Sequence, residues 1–296
     1  MKPVTLKRFL DEFKWCYFFI AAPVLLFLAF TLYPIVSAFI MSFQDYSPLA
    51  STWVGVSNYR FALTDPVFWR SMKVTLIYTL GTVPVDLAIS LILAYLVFQL
   101  RTKSQTFFKA ALYLPAVTSG VTLSLVWLWI LDPTPAGLLN RFLKIFGAEN
   151  VVWLGSSKTA LFSLMLMNYL GSHGPSLILY LSAMGGIPKS LYEAADVDAA
   201  SNWSKLRNIT WPLLKPTTLY LLVTGVINSF QVFMNVYLMT QGGPNFATTT
   251  IAYLIYQNAF RYFDFGLASA MSFLLAVVIV VVSALQFKYL STDVEY

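Results

Sequence analysis

Six stretches of this chain each run for about 20 residues or more with almost no charge, the length a helix needs to cross about 30 Å of hydrocarbon. They lie at about 16–43, 74–98, 108–131, 159–184, 213–240 and 266–290. In lipid every backbone N–H and C=O must be satisfied inside the protein, which holds such runs to helices. Only 11% of the 296 residues are charged and 58% are hydrophobic, whereas a soluble domain carries about 25% charged residues. The expected fold is therefore all-α and integral to a membrane: one domain over residues 1–296 with six transmembrane helices. The first run follows basic residues, as a secretion signal would. It is too long for a signal's apolar core, and Pro23 and Pro34 make no convincing cleavage region, so it is read as an anchor.

The basic residues orient the spans. With the N-terminus inside, twelve of the 19 Lys and Arg residues fall on the inner side, among them Lys2, Lys7, Arg8, Lys14, Arg101, Lys103, Lys189, Lys205 and Arg207. The other seven, such as Arg60, Arg70 and Arg141, fall outside. The positive-inside rule then places both termini in the cytoplasm. The outer connections are aromatic, with Tyr46, Trp53, Tyr59, Phe68 and Trp69 before the second span and Trp127 and Trp129 ending the third. They read either as a headgroup-level belt or as a docking surface for an external protein.

A polar island at about 185–212 separates the fourth and fifth runs, and the charge asymmetry places it inside. Ser190 followed by Glu193 is a capping-box pattern, so a helix is expected to start there. Leu191, Ala194, Ala195 and Asp198 share one face of it, mostly of small side chains. Such a helix can lie deep in a groove on another protein, or the segment can be an amphipathic loop on the membrane surface. Ser201 can cap a second short helix, after which Pro212 and Pro216 turn the chain.

Polar side chains inside a bilayer are costly unless they pair or line a cavity. On the fourth run Asn168, Gly171, Ser172, His173, Gly174, Pro175 and Ser176 form a helix-breaking cluster, which lines a cavity or marks a packing kink. On the fifth, Asn228, Gln231 and Asn235 recur at i, i+3 and i+7 with Phe230, Phe233 and Tyr237 between them. Amides exchange hydrogen bonds with hydroxyls and aromatic faces pack on apolar ones, although amides also join helices to each other. Asp86, the one formal charge deep in a run, could be functional, neutral, or bonded to Thr82 or Ser90 on its own helix. A structural or subunit-contact role is the expectation, because a proton-coupled carrier needs a relay of such groups and, as a rule, inverted repeats.

Cys16 and His173 are each the single residue of their type, which leaves no internal disulfide and no multi-histidine metal site. Asp65, Asp132, Glu149 and Asp264 lie in outer segments without the partners a catalytic constellation requires. No Gly-rich loop ends in Gly-Lys-Ser/Thr, so if ATP drives this chain another subunit binds it.

Glu193-Ala194-Ala195, Asp198-Ala199-Ala200, Ile209 and Pro212 resemble the "EAA" loop of bacterial ABC importer membrane subunits. Leu238-Met239-Thr240-Gln241-Gly242-Gly243-Pro244 is similar to the "LTxGGP" element of the carbohydrate, maltose-type branch. Asn58-Tyr59 and Thr64-Asp65-Pro66-Val67-Phe68-Trp69 resemble the segment that branch carries after its first helix. The resemblance implies a multi-pass subunit of a bacterial inner membrane that moves a sugar or oligosaccharide inward by alternating access. The implied partners are a second permease, two ATPase subunits holding ATP and Mg, an extracytoplasmic solute-binding protein and membrane lipid. No cofactor in this chain and no nucleic acid is expected. Glu193, Ala194, Ala195, Asp198 and Ala199 would couple to the ATPase. Ala199 stands where the family usually has Gly, which makes the bend less free to take φ > 0. The solute would meet Gln231 and Asn228 first, then His173, Asn168, Asn235 and Tyr237. An ion-coupled secondary carrier and a membrane enzyme are the competing classes.

Overall fold

The apolar runs fold as helices, with breaks where Gly and Pro interrupt them. The computed structural model describes residues 6–47, 50–171 and 173–290. Lys2 and Ser172, both used above, lie outside the described residues. In chain order, α1 (Leu6–Phe27) passes through a π-helical turn at Leu28–Leu32 into α2 (Tyr33–Met41). A hairpin of β1 (Gln44–Ser47) and β2 (Ala50–Trp53) follows, then α3 (Ser57–Thr64), α4 (Pro66–Phe98), α5 (Thr102–Val117), α6 (Gly120–Ile130) and α7 (Leu138–Ile145). After these come α8 (Ala160–Tyr169), α9 (Gly174–Gly185), α10 (Lys189–Val197) and α11 (Asn202–Lys205). A second π turn at Leu206–Thr210 leads to α12 (Trp211–Leu213), α13 (Lys215–Phe230), α14 (Met234–Met239), α15 (Ile251–Phe260) and α16 (Phe265–Leu290). Each π turn ends two residues before a proline, Pro34 or Pro212. The missing N–H opens the helical ladder there, and Tyr33 and Trp211 bond back five residues instead of four.

Two expectations need correction. The fold is not purely α, because β1 and β2 pair antiparallel with Gln44 opposite Trp53 and Tyr46 opposite Ser51. Tyr, Thr and Trp in this stretch suit a pleated ribbon better than a helix. The expected spans are also less uniform than six long helices. Among the described residues four helical segments are, by length and composition, long and apolar enough to cross a membrane: Trp15–Met41, Pro66–Phe98, Lys215–Met239 and Phe265–Leu290. The pair α5 and α6, bent by 95° after Pro115, makes a fifth if taken together. The expected run 159–184 is instead α8, of 10 residues, and α9, of 12, parted at Leu170–His173. The second span also starts earlier than residue 74. Asp65 accepts the Val67 N–H at 2.9 Å as an N-cap, Pro66 takes the first helical position, and the helix runs for 33 residues.

The chain divides into two compact units, Met1–Thr64 with Tyr256–Leu274, and Asp65–Ile255 with Leu275–Tyr296. In the first, Asn58 Nδ2 donates to the carbonyls of Ser42 (3.0 Å) and Gln44 (2.8 Å), and the Tyr59 hydroxyl lies 2.7 Å from Ser42 Oγ. Phe39 packs edge-on to Phe43 and Phe273. The apolar residues of Trp15–Met41 point outward, Phe19 and Phe30 being 71% and 77% exposed, as a helix facing lipid or another subunit would present them.

In the second unit α4 is the axis. Leu91 and Ala94 pack with Leu177, Tyr180 and Met184 of α9 and Leu221 of α13 in one buried cluster. Gly225 brings α13 onto α4, where a Cβ would stand 3.2 Å from Val83 Cγ1. Hydroxyls join the two helices: Ser229 Oγ donates to Thr79 Oγ1 at 3.0 Å and lies 3.4 Å from Thr82 Oγ. The Gly-Gly-Pro stretch closes on itself, with Thr248 Oγ1 donating to the Gly243 carbonyl at 2.7 Å and Thr249 Oγ1 to that of Gly242 at 2.8 Å.

Candidate functional site

A cavity of about 550 Å³ opens within the second unit, among α4, the α8–α9 break and α13–α14. That volume falls in the usual range of small-molecule sites, about 300–1,000 Å³. Its polar wall comes from Thr82 and Asp86 on α4, Asn168 at the end of α8, Ser176 on α9, Thr224 and Asn228 on α13 and Asn235 on α14. Tyr78 and Tyr220 add aromatic surface. Asn168 Oδ1 is buried and, among the described residues, has no hydrogen-bond partner.

The helix break builds one side of this cavity. Gly174 begins α9 so close to α5 that a Cβ there would lie 2.5 Å from Tyr113 Cα and 2.9 Å from the Leu112 carbonyl. Pro175 then occupies the first turn, where its missing N–H costs nothing. The next residues, Pro175 and Ser176, face the cavity.

His173 sits at the N-cap of α9, 5% exposed, with both ring nitrogens engaged. Nε2 lies 2.9 Å from the Tyr169 carbonyl and Nδ1 lies 2.7 Å from Asp86 Oδ1, with Ser90 Oγ 3.3 Å away. A carbonyl can only accept, so Nε2 carries hydrogen. One further proton is then shared between Nδ1 and the carboxyl, and the pair is neutral as a whole wherever that proton rests. Asp86 is therefore tied across helices to His173, and the alternative of a bond to Thr82 or Ser90 on its own helix is not taken up: Thr82 donates to the Tyr78 carbonyl at 2.7 Å.

Of the six residues expected near a solute, the structure gathers Asn168, Asn228 and Asn235 at one cavity. Asn235 also accepts from Ser124 at 3.4 Å, so it joins helices as well. His173 lies behind Asp86 and does not line the cavity. Gln231 is exposed and outside the lining, because α13 ends at Phe230 and the three-residue step from Asn228 no longer follows helical rotation. Tyr237 is outside it too and stacks on Phe233 at 5.3 Å between centroids. Tyr220 and Thr224 were missed, yet they stand at four-residue steps before Asn228 and share its face.

The polar island is fastened to the same unit. Tyr95 on α4 donates to the Asn202 carbonyl at 2.7 Å, Tyr192 and Thr210 pair through hydroxyls at 2.9 Å, and Lys205 bridges to Asp196. Ser201 Oγ accepts the Ser204 N–H at 3.2 Å and caps α11 as its sequence indicates. The capping box is not formed: α10 starts directly after Pro188, which holds the N-cap, so Ser190 is already its second residue. At the other end Ala199 has φ +52°, its N–H bonds to Asp196, and the Ala200 N–H bonds to Ala195 at 2.9 Å. This is a Schellman closure with Ala in the position that usually carries Gly. Glu193, Ala194, Asp198 and Ala199 are exposed, Ala195 is half-buried, and Val197 beside them is 87% exposed.

Three of the acids that lacked catalytic partners in the sequence act on backbone. Asp65 caps α4, Asp264 Oδ1 accepts the Leu267 N–H at 2.9 Å, and Asp132 accepts both the hydroxyl and the N–H of Thr134, which holds its carboxyl below the usual range.

Residues 86–292 match the family described as the binding-protein-dependent transport system inner membrane component. The arabinooligosaccharides transport system permease protein AraP of Bacillus subtilis (strain 168) is 36% identical over 274 residues, 92% of this chain and 87% of the relative. The lactose transport system permease protein LacF of Rhizobium radiobacter is 31% identical over 290 residues, 96% and 95% of the two chains. Among solved structures, a bacterial ABC transporter involved in the import of the acidic polysaccharide alginate superposes with a TM-score of 0.85 at 24% identity, covering 96% of this chain and 97% of that one. At that identity the likeness is one of fold.

Proposed function

This chain belongs to the family of binding-protein-dependent transport system inner membrane components, and on that premise we propose that it is a permease subunit of an ATP-driven sugar importer. The observation that carries the reading is the cavity, where Asn168, Asn228 and Asn235 converge beside Tyr220. Amides that both donate and accept suit sugar hydroxyls, and an aromatic face suits the apolar face of a sugar ring. The relatives AraP and LacF, named for arabinooligosaccharides and lactose, support the same solute class.

The chain crosses the membrane six times in this reading, α1–α2, α4, α5–α6, α8–α9, α13–α14 and α16 each counting once, with both termini in the cytoplasm. The exposed face of Glu193, Ala194, Ala195, Asp198 and Ala199 docks an ATPase subunit, which binds ATP and Mg. Tyr95 and Tyr192 tie that segment to α4 and to the second π turn, so motion of the ATPase reaches the cavity wall as the movement of one body. A second permease completes the pore, and an external binding protein delivers the sugar. The cavity then opens to one side and the other in turn.

The test is uptake of labelled arabinotriose, raffinose and maltotriose by cells carrying the whole system. Asn168→Ala combined with Asn228→Ala should cut uptake of the transported sugar at least about tenfold with assembly intact. Unchanged uptake places the solute elsewhere.

A further inference from the structure

We infer that the cavity wall built by this chain selects uncharged, hydroxyl-rich solutes over acidic ones, and that Asp86 sets the preference; the inference rests on the reading of the cavity as the solute site. Asp86 is the one carboxyl in the lining, and among the described residues no Lys or Arg joins it there. Its Oδ1 is taken by His173 Nδ1 at 2.7 Å, while Asp86 itself keeps 29% of its side chain exposed against 5% for the imidazole. The pair is therefore polarised, with its donor buried behind and its acceptor at the wall.

The location of the shared proton does not alter this. With the proton on His173, Asp86 is a carboxylate whose Oδ2 offers lone pairs and negative charge. With the proton on Oδ1, Oδ2 is a carbonyl-type acceptor and still offers lone pairs alone. A sugar hydroxyl can donate to either form, and the donation is stronger to the ionised one. The ionised carboxylate of a uronate, or the phosphate of a sugar phosphate, presents only lone pairs, whatever hydroxyls the rest of the solute carries, and that group would leave water for a wall without a cation and with an acceptor facing it. Asn168, Asn228 and Asn235 donate as well as accept and give no bias of their own.

The test is equilibrium binding to the purified permease–ATPase assembly without its binding protein, so that only the permease site discriminates. The probes are the neutral arabinotriose, raffinose and maltotriose, with trigalacturonate as the acidic one. The wild type should bind its best neutral probe at least about tenfold more tightly than trigalacturonate. Asp86→Asn should weaken the neutral probe and narrow that ratio by about tenfold, since a charge-assisted hydrogen bond is about twice as strong as a neutral one. A merely structural role would weaken both probes alike and leave the ratio unmoved, which overturns the inference. Thr224→Lys keeps the Asp86–His173 pair and adds a cation to the wall, so it should narrow the ratio even if Asp86→Asn does not assemble. An unmoved ratio in Thr224→Lys also overturns it. Asn228→Ala separates the two claims: if it leaves binding of every probe unchanged, or if the wild type binds no neutral probe, the solute-site reading itself has failed. If it weakens binding while the charge variants leave the ratio alone, this inference alone has failed.

Discussion

Gly174 and Tyr113 approach so closely that a Cβ on the glycine would stand 2.5 Å from the tyrosine Cα. The obstacle is backbone, which cannot step aside as a side chain tip can. Gly174→Ala should therefore push α9 off α5 and cost about 1–3 kcal/mol, the usual range for overpacking. A lowered melting temperature of the detergent-solubilised protein is expected, and a wild-type melting curve would show that the helices part without cost.

Ala199 holds the left-handed turn of a Schellman closure at φ +52°. An L-residue pays about 1–2 kcal/mol in that region, and Gly does not. Ala199→Gly should slow exchange of the Ala199 and Ala200 amide hydrogens, whose bonds run back to Asp196 and Ala195, whereas Ala199→Val should speed it. Faster exchange in the glycine variant contradicts the argument from strain.

The partnership of His173 with Asp86 makes single and double replacements unequal. His173→Leu leaves a carboxyl facing an apolar side chain, and breaking a buried pair costs about 3–5 kcal/mol. Asp86 is 29% exposed, so a smaller loss of about 2 kcal/mol is expected here. The double variant His173→Leu with Asp86→Leu should be more stable than His173→Leu alone. Additive losses in a denaturant titration of all three variants would argue against a coupled pair.

Glu193 is exposed on α10 and, among the described residues, has no ion pair to break. Glu193→Arg should change stability by no more than about 0.5 kcal/mol, leaving the melting temperature near that of wild type. If this face docks the ATPase, the same substitution should abolish copurification of that subunit. Retention of the ATPase with normal transport would remove Glu193 from the interface.

Asn168 carries a buried carboxamide oxygen with no partner among the described residues. Leu has nearly its volume and no such oxygen, so Asn168→Leu should hold or raise stability while lowering sugar uptake. Lowered stability together with normal uptake would mean that the amide serves packing instead.

Composition and run length were enough to read a membrane-embedded helical chain, because the cost of charge and of unsatisfied backbone in hydrocarbon is set residue by residue. The Ser201 cap was legible too, because the side chain and the N–H that it accepts lie three residues apart, whereas the Asp65-Pro66 helix start was not read and Pro188 took the N-cap in place of the Ser190 capping box. What sequence could not supply was anything that depends on where one helix ends and which other helix it meets. Gln231 seemed to continue the face of Asn228 until α13 stopped at Phe230. The Gly-Pro cluster marked a break in run 159–184, but it did not show that Gly174 would set the second half against α5. Asp86 had several open readings, and only tertiary packing set His173 beside it, 87 positions along the chain. Such pairings are long-range, and the energy that selects them resides in contacts between helices, which no local pattern of residues encodes.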